Sequence, residues 1–380
     1  MVEWKKLGEI SNRNKGIPIT AGQMSELATP NGNVRVFAAG QTIADINEED
    51  LPTNCAHKKP SVIVKSRGYI DFEFYERPFT HKNEMWSYSF KDKEAGRFVY
   101  YYLTTKKDFF RKKAKANSVK LPQLCVADTD NFLIPIPSLS EQTRIVGILD
   151  TFTSAIDNLK EQIAQRRKQY EYYRDRLLNL EGKEGVEMKR LGEICDIKGR
   201  IGFRGYTRED QVEKEEGVIS LSPGNIENGQ MVYNGCTYIS WEKYEESPEI
   251  KTFNGDVIFC KTGSTVGKVA IVKDLPCEAT INPQLVVLKN ITIDSRFLNY
   301  ILATYKIQSI VKRLAGVGSV PNISQEKLGN LEFMLPSLHE QQRIVSILDT
   351  FEASIANLEA QLKQREKQYE YYRNKLLTFE

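Results

Sequence analysis

Three short stretches of the sequence carry residue types that could do chemistry. "GSTVGKV" (Gly263 to Val269) has the glycines and the lysine of a nucleotide-phosphate loop. Such a loop needs four residues between its glycines and Ser or Thr after the lysine. Here three intervene and Val269 follows, which excludes a nucleotide-hydrolysing loop of that type. What remains is a tight turn after a strand ending near Cys260, able to offer Ser264, Thr265 and backbone N–H groups to a phosphate. "INPQL" (Ile281 to Leu285) starts like the Asn-Pro-Pro-aromatic motif of amino-methyltransferases, but Gln284 and Leu285 replace the second proline and the aromatic. No glycine-rich cofactor loop accompanies it. Cys55 and His57 stand two positions apart. That spacing favours a structural role, because a nucleophile and its base are defined in space rather than along the chain. The sequence shows no catalytic constellation.

A different chemistry is offered between Lys106 and Lys120, where seven basic residues (Lys106, Lys107, Arg111, Lys112, Lys113, Lys115, Lys120) face one acid, Asp108. This is a candidate phosphate-binding stripe, or else a solvated helix face. A net charge of +3 over 380 residues is compatible with a nucleic-acid partner without establishing one. Six cysteines without a C-x-x-C pair, and three histidines, signal neither a zinc site nor a disulfide framework. The opening "MVEWKKLGEI" lacks a signal peptide's apolar stretch, and no apolar run approaches the roughly 18 residues of a membrane span. The cytoplasm is the expected location.

The elements that must position these residues are repeated. Pro137 to Glu181 and Pro336 to Glu380 align without a gap at 29 identities in 45 positions, both containing "KQYEYYR". "VEWKKLGEI" at Val2 is matched by "VEMKRLGEI" at Val186. The chain is a tandem duplication. Ser138-x-x-Glu141 and Ser337-x-x-Glu340, each after a proline, read as capping boxes that start two helices. Apolar residues then recur at three- and four-residue steps: Phe152, Ile156, Leu159, Ile163, Tyr170, Tyr173, Leu177 and Leu180, answered by Phe351, Ile355, Leu358, Leu362, Tyr369, Tyr372, Leu376 and Phe379. This is the seam of a coiled coil, about 60 Å long at 1.5 Å per residue. Arg166 and Arg365 interrupt it, either snorkelling to glutamates or fixing register or a partner contact. Antiparallel pairing of the two helices is expected.

The fold class is therefore α+β. Residues 1–136 and 186–335 form two mixed α/β domains, 137–181 and 336–380 two long antiparallel coiled-coil helices, and 182–185 a linker, related by a pseudo-twofold axis. "RFVYYYLTTKKDFFRKKAK" and "RFLNYILATYKIQSIVKRLA" read as helices late in each domain. Pro122 and Pro321 each stand 15 residues before the proline that opens a long helix. The frames match while the globular middles have diverged. That contrast suits a protein reading two different things at a fixed separation.

These residues resemble the DNA-specificity subunit of type I restriction-modification systems. The resemblance spans essentially the whole chain. It is carried by "EQ-x-R-I-V-x-I-L-D" at Glu141 to Asp150 and Glu340 to Asp349, the paired "LGEI" starts, and "GDVIFCKTGSTVGKVAIV" (Gly255 to Val272). It implies two target-recognition domains, each reading one half of a bipartite asymmetric site in double-stranded DNA, with the helices as spacer. It also implies two modification (methyltransferase) subunits that bring S-adenosylmethionine and methylate adenine, and restriction/translocase subunits. This chain would then be non-catalytic, bind no cofactor and no metal, and touch no membrane. On that pattern, DNA contacts are expected from Lys65, Ser66, Arg67, Tyr69, His81, Asn83, Lys113, Lys115, Asn117 and Ser118 in the first domain. In the second they are expected from Arg200, Phe203, Arg204, Tyr206, Asn225, Lys261, Ser264, Thr265, Lys268, Arg313 and Ser319. Subunit contacts are expected from Gln142, Arg144, Gln341 and Arg343. The competing possibility is an antiparallel coiled-coil scaffold joining two protein-binding domains without a DNA role. A self-contained nuclease or methyltransferase is disfavoured by the missing motifs.

Overall fold

The computed structural model of the chain describes residues 2–118, 120–200, 206–316, 318 and 320–379. It divides into two compact units, Met1–Glu161 with Glu359–Glu380, and Gln162–Leu358. The division differs from a linear series of domain, helix, domain, helix. Each unit takes the start of one long helix and the end of the other, because the apolar residues of those two segments share one core.

In the first unit a four-stranded antiparallel sheet runs in the order Asn12–Lys15, Trp86–Ser89, Ser61–Lys65, Asp71–Tyr75. A second sheet places Val34–Phe37 between Ile43–Ile46 and Phe79–His81, the last pair parallel. "SVIVK" is the shared wall. Successive side chains of a strand point to opposite faces, so Val62 and Val64 join one core with Tyr88 and Phe98. Ile63 joins Phe37, Phe79 and Met85 on the other face. The second unit repeats the device: Val257 and Phe259 of the strand Val257–Cys260 enter one core, Ile258 and Cys260 another. That strand lies in a six-stranded sheet beside a four-stranded one.

Each late helical stretch is two helices rather than one. In the first unit Lys93–Thr105 and Lys107–Asn117 break at Lys106, whose φ and ψ are −105° and 11°. In the second, Ser295–Leu302 and Tyr305–Ala315 break at Thr304, whose hydroxyl accepts from Ile307 N as a cap.

The long helices are Leu139–Leu177 and Leu338–Leu376. Each is entered from a two-stranded antiparallel ribbon, Glu3–Lys6 with Leu133–Ile136, and Glu187–Arg190 with Glu332–Leu335. The capping boxes form only by half. Ser138 and Ser337 accept from Glu141 N and Glu340 N, but each glutamate turns its carboxylate to the arginine three residues on, Arg144 or Arg343.

Within the first unit, Ile145, Val146 and Leu149 share a core with Leu377. Phe152 stacks on Tyr372 with centroids 5.3 Å apart, and Lys160 pairs with Glu366 at 3.7 Å. As numbers rise along one helix they fall along the other, so the segments are antiparallel. The second unit mirrors this: Ile344, Val345 and Leu348 share a core with Leu178 and Leu180, and Tyr173 stacks on Phe351 at 5.4 Å. The seam arginines do not reach for glutamates. Arg365 lies over Phe152 at 5.8 Å and Arg166 over Phe351 at 5.9 Å, each in reach of a cation–π contact.

The same polar contact in both halves ties the globular region to a long helix. Asp150 accepts from the Tyr101 hydroxyl at 2.5 Å and from Arg97 at 2.8 Å. Asp349 accepts from Tyr300 at 2.6 Å and Arg296 at 2.9 Å. Tyr101 and Tyr300 hold their protons well above the usual phenol range, chiefly through burial; the Asp150 hydrogen bond comes next for Tyr101, and the Glu352 charge ahead of the Asp349 hydrogen bond for Tyr300. Asp150→Ala removes the acceptor that both donors share and is expected to cost about 1.5–3 kcal/mol, against about 0.5–1.5 kcal/mol for Tyr101→Phe. Urea melts of the two variants measure it, and wild-type stability for Asp150→Ala would exclude a stabilising role for the contact.

Candidate nucleic-acid interface

Two turns in different units are built on one backbone plan. In the first, Gly68 N donates to Pro122 O at 2.8 Å, Leu124 N to Ser66 O at 2.8 Å, and Gln123 N to Ala114 O at 3.1 Å. In the second, Gly263 N donates to Pro321 O at 2.9 Å, Ile323 N to Lys261 O at 2.9 Å, and Asn322 N to Ala315 O at 3.2 Å. Arg67 bridges Gln123 and Thr262 bridges Asn322. Both turn glycines have positive φ, +74° and +98°, a conformation that a side chain strains. Each platform thus brings together the end of a core strand, the C-terminal end of the second late helix and the segment after it. Leu124 and Ile323 are buried beneath.

Of the residues expected to contact DNA, Arg67, Tyr69, Lys115 and Ser118 lie around the first platform, the first three exposed. Arg111 lies over the Tyr69 ring at 6.0 Å. The stripe is partly spent inside the molecule: Lys107 pairs with Asp71 and Lys113 with Asp128. Asn117 donates to Asp128 at 2.7 Å. Lys112, Lys115 and Lys120 are exposed and make no ion pair among the described residues. Asn83 is exposed on another turn, its N–H held by Ile17 O.

Other expected contacts are interior. Lys65 is mostly covered and pairs with Glu73 at 2.7 Å. Ser66 is fully buried, its hydroxyl given to Glu84 O. His81 is fully buried against Ser87, with its ring 5.6 Å from that of His57. Both Ser66 and His81 serve the fold rather than an open face.

Around the second platform, Ser264 and Arg313 are exposed, while Lys261 and Thr265 are half-buried, the Thr265 hydroxyl beside Cys260 Sγ. Lys268 spends its ammonium on Ile226 O at 2.9 Å. Arg200 is buried, donating to Ile281 O and Thr280 and lying over Tyr206. Tyr206 accepts from Ser220. Asn225 is buried and caps Ser222 N while donating to Val232 O. Arg200 and Asn225 are therefore structural, for the same reason as Ser66 and His81. Phe203, Arg204 and Ser319 lie outside the described residues.

Of the expected subunit contacts, Arg144 and Arg343 are exposed. Gln142 and Gln341 are instead buried, each donating back to a carbonyl at its helix start, Pro137 O and Pro336 O. The residues that sequence reasoning missed are Gln123, Thr262 and Asn322. The available signal was the shared frame itself, since each follows the aligned proline or precedes the turn glycine. Among the described residues no group of His, Cys, Asp and Glu could hold a metal ion, and no helix is long and apolar enough to cross a membrane.

A family model described as "Type I restriction modification DNA specificity domain" matches residues 1–166 and again 183–367. The EcoR124I/EcoR124II type I restriction enzyme specificity subunit of Escherichia coli is 30% identical over 397 residues, covering 100% of this chain and 94% of that protein. A putative type I restriction enzyme specificity subunit of Haemophilus influenzae, S.HindORF215P, is 30% identical over 405 residues, covering 100% and 96%. Among solved structures, the S subunit of a type I restriction-modification system from M. genitalium matches with a TM-score of 0.63 at 17% identity, covering 100% of this chain and 97% of that one. A chain from a type I R-M system, solved in work on complex assembly and conformational transition, matches with a TM-score of 0.56 at 18% identity, covering 99% and 96%. These structural likenesses speak for the fold.

The interior placement of His81 has a measurable consequence. Burial first, and the neighbouring His57 second, push its imidazole down to about 4 from 6.5. The unfolded chain binds that proton near pH 6.5 and the folded chain only near 4, so the stability is complete above about pH 6.5 and is lost as pH falls through about 4. His81→Gln is expected to flatten this decline. Denaturant midpoints at about pH 7, 5.5 and 4.5 for both forms check it, and parallel profiles would refute it.

Proposed function

This chain belongs to the type I restriction-modification DNA specificity family, and from that premise we propose that each compact unit reads one half of a split, asymmetric DNA site. The observation that carries the proposal is the pair of platforms: one backbone plan presented twice, with different side chains on each. Phosphate contacts position a protein on DNA and base contacts specify. Lys112, Lys115 and Lys120 supply the first kind of contact in the first unit, and the turn residues the second. Joining two half-site readers in one chain makes the second binding event intramolecular, so the spacing between half-sites enters the specificity.

The chain itself does no chemistry in this proposal. Methylation of adenine within a duplex requires flipping the base. Two modification subunits carrying S-adenosylmethionine perform it, and restriction subunits join the same complex. Surfaces that are alike in both halves suit two copies of one partner: Leu139 and Leu338 are 53% and 57% exposed, Tyr172 and Tyr371 59% and 60%. Arg144 and Arg343 stand on the same helices with their glutamate partners.

Replacing residues 186–335 by the matching region of another family member, with the long helices kept, is expected to change one half of the recognised sequence. Methylome sequencing of a host expressing the chain with its modification subunits reads the result, and a change in both halves or in neither sinks the proposal. Neutralising Lys112, Lys115 and Lys120 together is expected to weaken DNA binding uniformly across sequences. The log–log salt slope should fall by roughly 2 to 3, at about 0.9 per lost phosphate contact.

A further inference from the structure

Resting on the DNA-reading role above, we propose that one pair of facing residues in each unit sets its half of the specificity: Arg67 with Gln123 in the first, Thr262 with Asn322 in the second. These are the positions joined by the isolated antiparallel bridges of the two platforms. Directly opposed residues in such a bridge have Cβ atoms about 5 Å apart and project to the same side. Their neighbours point the other way: Ser66, Leu124 and Ile323 are buried. The alternation that hides those side chains presents Arg67, Gln123 and Asn322 to solvent, with Thr262 half-covered beside Asn322.

The backbone beneath the two pairs is pinned alike. Each turn glycine donates to a proline carbonyl, and the residue after that proline donates to the last turn of a helix. What differs is the chemistry displayed. Arg67 makes no ion pair among the described residues, and its planar fork of donors matches the O6 and N7 acceptors of guanine in the major groove. Gln123 adds an amide beside it. In the second unit the Thr262 hydroxyl donates to Asn322 Oδ1 at 2.7 Å, which fixes the carboxamide plane. Asn322 is exposed, which leaves its Nδ2 hydrogens and the remaining Oδ1 lone pair for a ligand. That donor–acceptor pair matches N7 and the N6 amino group of adenine. The first unit therefore reads a G·C pair at its platform and the second reads an A·T pair.

The test uses the complex of this chain with its modification subunits and S-adenosylmethionine. Its substrates are duplexes carrying the recognised site, with each base pair replaced in turn. Arg67→Ala is expected to reduce discrimination roughly 5- to 150-fold at one G·C pair in one half, leaving the other half as it was. Asn322→Ala is expected to do so at one A·T pair in the other half. Arg67→Lys keeps the charge and loses the fork, so it separates base reading from phosphate binding: discrimination falls while the salt slope stays. Equal slowing at every duplex, retained discrimination in all three variants, or loss at a base pair of the other type overturns the inference and leaves DNA reading standing. A wild-type complex that methylates all duplexes alike overturns the DNA reading and this inference with it.

Discussion

A 39-residue helix with an apolar seam must have that seam covered, and in each unit the covering element is the end of the other long helix. Ile145 and Leu149 are closed over by Leu377, and Ile344 and Leu348 by Leu178. Burying side chains of this size is worth about 1.5–3 kcal/mol each relative to exposure. Losing the covering segment would therefore open the core of the globular region and not merely fray a helix. The aromatic stacks and the arginines lying on Phe152 and Phe351 then select one register from those that the apolar seam alone would tolerate. Stacked aromatic pairs add about 0.5–1.5 kcal/mol beyond burial. Their work is to make that register unique.

From this fixed seam, rigidity passes outward by short steps. Asp150 and Asp349, each next to a buried seam leucine, bind a tyrosine and an arginine of the globular region. A second connection runs through the chain itself. From Gln123 the backbone passes through the helix Val126–Asp130 and the strand Leu133–Ile136 straight into the long helix at Leu139. Asn322 reaches Leu338 by the equivalent path through Gln325–Gly329 and Glu332–Leu335. Gln123 and Asn322 thus each stand 16 positions before a helix start. Each platform is held by its helix from both sides.

The duplication, both helix starts, the seam and the turn at Gly263 were legible in the sequence, because each is local or periodic. The pairing of Asp150 with Tyr101 was not. A hydrogen bond spanning 49 positions leaves no period, and the aspartate of "ILD" reads as an ordinary exposed turn of helix. Burial divides the polar residues expected to contact DNA. Arg67, Tyr69, Lys115 and Ser264 reached the surface, whereas Ser66, His81, Arg200 and Asn225 went inside. Composition cannot separate those two groups, since a buried polar side chain is stable wherever partners await it, and each of the four has them. Gln142 and Gln341 illustrate the same limit. Expected at a subunit contact, each instead folds back onto a proline carbonyl at its helix start.

The two halves also differ inside the clamp, and the difference has a physical reading. Beside Asp150 the Tyr101 hydroxyl meets Thr153 at 3.4 Å. The aligned position in the second half is Glu352, which accepts from the Tyr170 hydroxyl at 3.2 Å. Burial raises the Glu352 carboxyl above its ordinary range, with Asp349 adding repulsion, while Tyr170, Tyr300 and Lys273 oppose the shift. A neutral hydroxyl and a half-buried acid hold the same joint at different electrostatic cost. The second joint needs its donors in place before the acid can stay charged. Identity across the repeat therefore marks what both halves must share, the seam and the clamp aspartates. Divergence begins one helical turn away, where each globular region meets the frame on its own terms.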